Sequence, residues 1–258
     1  MPTQFINLRG QNCQLLYGFS RSVVFETTVS VFMNGSEQRW PNHPPLAAFD
    51  VPLTSLGAVD RATLLSSSFF AAEKGRYGQD LEVTLAGTTY TNLCLLSDSL
   101  SFLTKQPSLY FDTHLAVRQT MNGSWTPPTP LVAFPSLSCG KIAQLPFSQE
   151  TSYLTAVNEN MNGPRYSYGY YSMGLSGFPT VSLKAWRISY PMLSDADAGT
   201  IESAFIGWQG RLLSFSFTDP TDGVTYNHVR CDQDVLTFRY IQPNQTSTEL
   251  VLRQTNGS

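Results

Sequence analysis

Val23, Val24 and Phe25 begin a stretch, running to Phe32, in which β-branched and aromatic residues alternate with polar ones. A period of two sends successive side chains to opposite faces of a strand, so the stretch predicts strand structure with one buried face. Val181 to Tyr190 alternates in the same way. Beyond it the period lengthens. Ala198, Ile201, Phe205 and Trp208 fall on one face of a helix that Ser194 can cap, with Asp195 and Asp197 in the first turn, where carboxylates meet the positive end of the helix dipole. Gly210 is expected to stop this helix by taking the left-handed conformation of a C-cap, and Gly75 to do the same in the first half; Arg211 and Arg76 follow them. Four short runs come next, Leu212 to Phe217, Thr225 to Cys231, Asp234 to Ile241 and Glu249 to Gln254, with the turn formers Asp219-Pro220-Thr221-Asp222-Gly223 after the first. Strand, strand, helix and then four strands predict a small α+β sandwich, mostly β, with one helix.

The pattern occurs twice. Phe19-Ser20 and Met33-Asn34-Gly35 return 128 positions later as Phe147-Ser148 and Met161-Asn162-Gly163. Leu46-Ala47-Ala48-Phe49 returns as Leu183-Lys184-Ala185-Trp186, and Phe70 with Gly75-Arg76 returns as Phe205 with Gly210-Arg211. Tyr90, Asp98, Leu100 and Phe102 match Tyr226, Asp234, Leu236 and Phe238, and Leu115 with Arg118-Gln119-Thr120 matches Leu250 with Arg253-Gln254-Thr255. Blocks in one order at slowly drifting offsets mean tandem duplication, so two β-domains are expected, at residues 15–124 and 143–258. Residues 125–142 between them include Pro127, Pro128 and Pro130, which fix φ and remove donors, and read as a stiff, Pro-rich linker.

Composition supports β-structure: 14% of residues are charged, against a usual share of about 25%, while Gly, Pro, Tyr and Phe are plentiful. With a net charge of -3 and no Lys/Arg cluster, the chain lacks the electrostatic footprint of a nucleic-acid binder. No apolar run is long enough to span a bilayer, and the first residues lack a signal peptide's design, so a soluble protein made in a cytoplasm is expected. Cys13, Cys94, Cys139 and Cys231 follow the duplication without metal-ligand spacing, which suits four free thiols better than zinc or a disulfide within each copy.

Chemistry is hard to find along the chain. His43, His114 and His228 stand in no motif with a nucleophile or carboxylate, no phosphate-binding glycine loop occurs, and capping accounts for Asp195 and Asp197. No enzyme, cofactor or metal site is expected. The sequons at Asn34, Asn122, Asn244 and Asn256 read as turns. Tyr166, Tyr168, Tyr170 and Tyr171 beside Arg165 could stack on sugars, but tyrosine and arginine favour a protein interface. Arg39 and Trp40, residue types that anchor interface hot spots, make the loop Gly35 to Trp40, with Glu37 and Gln38, the first candidate contact with a neighbour.

The segment Asn34-Gly35-Ser36-Glu37-Gln38-Arg39-Trp40, then a strand ending near Leu53 to Leu56, then a helix ending in Phe69-Phe70 and Gly75-Arg76-Tyr77, resembles the distal tail and minor tail proteins of siphophages and gene transfer agents. The second copy keeps the strand from Leu183 to Pro191 and the step from Phe205 to Arg211, and has Pro164-Arg165-Tyr166-Ser167 in place of Glu-Gln-Arg-Trp. The resemblance implies tail-tube-like β-domains in a virion component, assembled in the host cytoplasm as a ring that joins the tail tube to the tail tip or baseplate. Its implied partners are further copies of itself, as a hexamer in the first place or a trimer of duplicated domains, with the tail tube protein and tail tip or hub proteins. A carbohydrate-binding β-sandwich for host-surface attachment is the alternative.

Overall fold

The structure, a computed structural model, describes residues 5–8, 11–14, 18–31, 37–66, 70, 76, 78, 81–85, 87–106, 110–120, 125–138, 147–153, 155–158, 166–169 and 182–255. The first half contains β1 (Phe5–Leu8), β2 (Gln11–Gln14), β3 (Ser20–Val24), β4 (Thr27–Val31), β5 (Glu37–Pro41), β6 (Leu46–Leu56), helix α1 (Ala58–Leu65), β7 (Leu81–Leu85), β8 (Thr88–Leu95), β9 (Leu103–Gln106) and β10 (Tyr110–Gln119). The second contains β11 (Phe147–Tyr153), β12 (Thr155–Asn158), β13 (Tyr166–Gly169), β14 (Ser182–Leu193), helix α2 (Asp195–Gly207), β15 (Phe215–Thr218), β16 (Thr225–Cys231), β17 (Val235–Gln242) and β18 (Gln245–Gln254). The fold is α+β and mostly β, built on antiparallel strand pairs.

Strand order repeats with the sequence. The first half runs β3-β6-β10-β8-β7, continued by β2 beyond β1, and the second runs β11-β14-β18 with β16 and then β15 on β18. Register repeats too. Arg21 faces Phe49 across β3 and β6 where Gln149 faces Trp186 across β11 and β14. Cys94 faces Arg118 across β8 and β10 where Arg230 faces Arg253 across β16 and β18. The register shift between Leu81 and Val83 in β7 recurs between Phe215 and Phe217 in β15. Cys231 is therefore the counterpart of Leu95 and not of Cys94, although both cysteines lie in the same repeated strand.

Individual bonds obey the same correspondence. Thr120 donates its amide and its hydroxyl to the Asn92 carbonyl, and Thr255 does both to the His228 carbonyl. Asn92 and His228 each hold φ at 58°, the left-handed conformation in which a side chain costs about 1 kcal/mol. The Gln119 carbonyl oxygen takes the Ala47 amide and that of Gln254 takes the Lys184 amide, both at 3.3 Å.

Two compact units form, and neither is one contiguous repeat. Met1–Val24, Pro44–Trp125 and Thr237–Ser247 make the first; Phe25–His43, Thr126–Leu236 and Thr248–Ser258 make the second. The boundaries expected at 15–124 and 143–258 thus differ from those of the units, because strand alternation shows which face is buried and not which edge a hairpin joins. In the first unit Leu81, Val83, Leu93 and Val117 are fully buried, and each contributes roughly 1.5–3 kcal/mol by leaving water. Tyr240 joins this unit by accepting the Gly18 amide, donating to the Phe19 carbonyl and stacking on the Phe19 ring at 4.6 Å.

The second unit centres on Trp208, stacked on Phe215 at 3.8 Å, and Trp186, edge-on to Phe217 at 5.1 Å. The end of the Pro-rich segment belongs here: Phe134 donates to the Ser216 carbonyl, Ser216 donates to the Val132 carbonyl, and the Trp208 indole donates to Leu131. Within the stretch read as a stiff Pro-rich linker, Leu131 to Phe134 are thus tied to this unit. Ser194 caps α2 as expected, accepting from the Asp197 amide. Asp197 does more than meet the dipole, since its buried carboxylate accepts the Ser138 amide at 2.7 Å and hydroxyl at 2.6 Å.

Candidate interface: a hairpin and its carboxylate anchor

Helix α2 ends in a Schellman motif that sets up the site. Gly210 donates to the Phe205 carbonyl and Gln209 to the Ile206 carbonyl. The left-handed residue directly after the Trp208 cap is Gln209, at φ 54°, so Gly210 is not the C-cap glycine that the sequence suggests. Gly210 is also left-handed, at φ 61°, and a Cβ there would lie 3.0 Å from Asp234 Oδ1 and 3.1 Å from Phe25 Cβ. Glycine is required because a carboxylate and an aromatic ring close on the backbone.

That carboxylate holds the β4–β5 hairpin. Asp234 accepts the Thr27 amide at 3.0 Å, the Thr27 hydroxyl at 2.8 Å and the Arg211 amide at 3.2 Å, and its backbone carbonyl takes the Phe25 amide at 2.8 Å. Phe25 packs edge-on against Phe205 at 5.7 Å. Arg39 secures the far strand, with Nη1 donating to the Arg211 carbonyl at 2.6 Å and the guanidinium paired with Glu37. Its side chain is only 4% exposed. Burial, reinforced by the positive charge of Arg39 and opposed by Glu37, lowers the pKa of nearby Arg230.

The first unit carries the matching anchor. Arg76 donates its amide to Asp98 Oδ1 at 2.9 Å, as Arg211 does to Asp234, and both Arg76 and Asp98 are exposed. Of the residues expected at an interface, Gln38 and Trp40 stand exposed on β5, Trp40 at 40%, while Glu37 is half-buried and Arg39 turns inward as a brace. Tyr166 opens β13 with its backbone paired to Asn158. Arg165 and Gly75 lie outside the described residues, as does the side chain of Tyr166. Thr27 and Asp234, which do the anchoring, were missed by sequence reasoning, although the Asp98–Asp234 repeat signalled one of them.

No family model matches the chain. No curated protein matches it either. Among solved structures, a tail protein from Neisseria meningitidis MC58 is similar over 98% of this chain and 96% of its own, at 7% identity and a TM-score of 0.43. A likeness of this depth leaves the functional argument to the geometry.

A second polar cluster sits at the Asp219–Gly223 turn. Fully buried Asp219 accepts the Trp186 indole N–H at 2.9 Å, and Lys184 donates to Asp222 at 2.6 Å with its ammonium 4.6 Å from the Tyr226 ring centre. The Lys184 ammonium holds the Asp222 carboxyl down to about 2, helped by the Val224 amide, and Asp222 in turn raises Lys184. Every group here is engaged in packing the turn. Cys94 and Cys231 are free thiols, and burial pushes the Cys231 thiol far up, away from reactivity. Cys13 has only its backbone described, in β2, and Cys139 lies outside the described residues. Among the described residues, no three His, Cys, Asp or Glu side chains converge on a metal-sized site, and no helix is long and apolar enough to cross a membrane.

Proposed function

We infer that this chain is a non-enzymatic structural protein of a phage tail, working as a ring between the tail tube and the distal tip or baseplate. The observation that carries the reading is the repetition of one five-strand order, in one register, twice along a single chain. A ring of such chains offers twice as many equivalent β-units as chains, and closure by rotation satisfies every contact surface. The motif resemblance from Asn34 to Tyr77 supports the tail assignment, and the absorption of Lys184, Asp219, Asp222 and Asp197 into packing supports a structural role. Partners in this reading are further copies of the chain, the tube protein above and the tip or hub proteins below, and the place of action is the virion tail.

Electron microscopy of the purified chain, alongside a glycan-binding screen, tests the reading. Rings of uniform diameter with no glycan retention are expected. Monodisperse monomers retained on a glycan would overturn it in favour of a carbohydrate-binding module.

A further inference from the structure

The two units are completed unequally. In the second, the β4–β5 hairpin sits on the anchor formed by Arg211 and Asp234, through Thr27. The first has the same anchor, Arg76 on Asp98, but the hairpin that corresponds to β4–β5 in the repeat, β12–β13, is counted with the second unit. The two hairpins share one register: Thr27 faces Pro41 and Thr155 faces Gly169, each residue displaced by 128 positions.

Sequence identity at the anchor is what raises this above symmetry. Thr155 stands in β12 where Thr27 stands in β4, Asp98 matches Asp234, and Phe70 matches Phe205; an aromatic residue precedes each hairpin, Phe25 in one copy and Tyr153 in the other. Hairpin and receiving site are therefore both present in the chain, with the same threonine and the same carboxylate. We propose that β12–β13 of one copy docks on the first unit of a second copy of this chain, with the Thr155 amide and hydroxyl donating to Asp98 as those of Thr27 donate to Asp234. The contact is head-to-tail, because donor and receiver are different surfaces, and such a contact builds a ring when the rotation from copy to copy closes, as the ring reading requires.

A second asymmetry points the same way. The tip of β17–β18 pairs against the free edge of β3 in the first unit, through Tyr240 with Gly18 and Phe19. Its counterpart in the repeat, the β9–β10 hairpin, leaves Leu103 65% and Tyr110 48% exposed, and β14 is the one neighbour of β11, the counterpart of β3, among the described strands. An unpaired strand edge on one unit and an exposed hairpin on the other suit pairing between copies. Pro146 in place of Gly18 removes one donor, and the hairpin register puts Ser167, and not Tyr166 as the block match suggests, in the place of Arg39, which removes the brace, so the contact between copies is weaker than its counterpart within one chain.

The proposal rests on the ring reading and names its interface. Light scattering of the full chain, compared with Asp98→Ala and with Thr155→Val, reads the effect on self-association. Each variant is expected to weaken it by about tenfold or more, the loss of a hydrogen bond to a charged group, and the double variant by little more than either. Mixing Asp98→Cys chains with Thr155→Cys chains under oxidation is expected to yield a disulfide-linked dimer that neither variant gives alone. Rings that form equally well with both single variants, together with no added cross-link on mixing, overturn this interface while the ring reading stands. A wild-type chain that stays monomeric at every concentration overturns both.

Discussion

Gly210 concentrates several constraints in one residue. Its φ of 61° disfavours any side chain, and the Asp234 carboxylate and the Phe25 ring leave no room for one. Gly210→Ala is expected to destabilise the second unit by about 1–3 kcal/mol in urea unfolding, and an unchanged midpoint would contradict the packing described. Arg39 and Trp40, adjacent on β5, separate just as sharply. Arg39→Ala removes a buried brace and should cost about 2 kcal/mol, whereas Trp40→Ala, on a side chain 40% exposed, should stay within about 0.5–1 kcal/mol. Equal losses from the two would mean that Arg39 is not buried against Arg211. Asp222 gives a pH signature. Its folded pKa of about 2 lies below the usual value of about 3.9, so its contribution is present above pH 4 and lost as pH falls toward 2. Asp222→Asn should flatten the fall in stability over that window, and parallel wild-type and variant curves would show that Lys184 does not hold the carboxylate.

At the scale of elements, the repeat was legible and its completion was not. Matching blocks from Phe19 to Thr255 mark strands whose registers agree down to the shift in β7 and β15. The cap of α2 was legible because Ser194 acts on its own first turn. Other features depend on residues distant in sequence. Asp234 approaches Gly210 from the bend before β17, the buried Asp197 carboxylate accepts from Ser138, and Arg39 turns inward to a carbonyl 172 residues away. Local periodicity shows a strand's buried face; it carries no information on which sheet edge receives a hairpin, and so the assignment of residues 25–43 and 237–247 could not be read from it. The left-handed positions offer a test of the repeat as a physical unit. Asn92→Gly and His228→Gly should each relieve backbone strain and change stability by similar amounts, at most about 1 kcal/mol, in thermal unfolding. Opposite signs would show that the two turns, alike in backbone, serve different ends.

For the whole molecule, the proposed contact would turn duplication from a local packing solution into an assembly rule. A chain that carries two copies of the repeat and of its hairpin can complete one unit from within and the other from a neighbour, and in a closed set of copies the β12–β13 hairpin and the β11 edge would both be used. Three copies would present six units and six copies twelve. Sedimentation equilibrium of the full chain across a wide range of concentrations tests this most directly. A single closed species with a fixed number of chains is the expected result; a monomer throughout, or an open series of ever larger species, would contradict it.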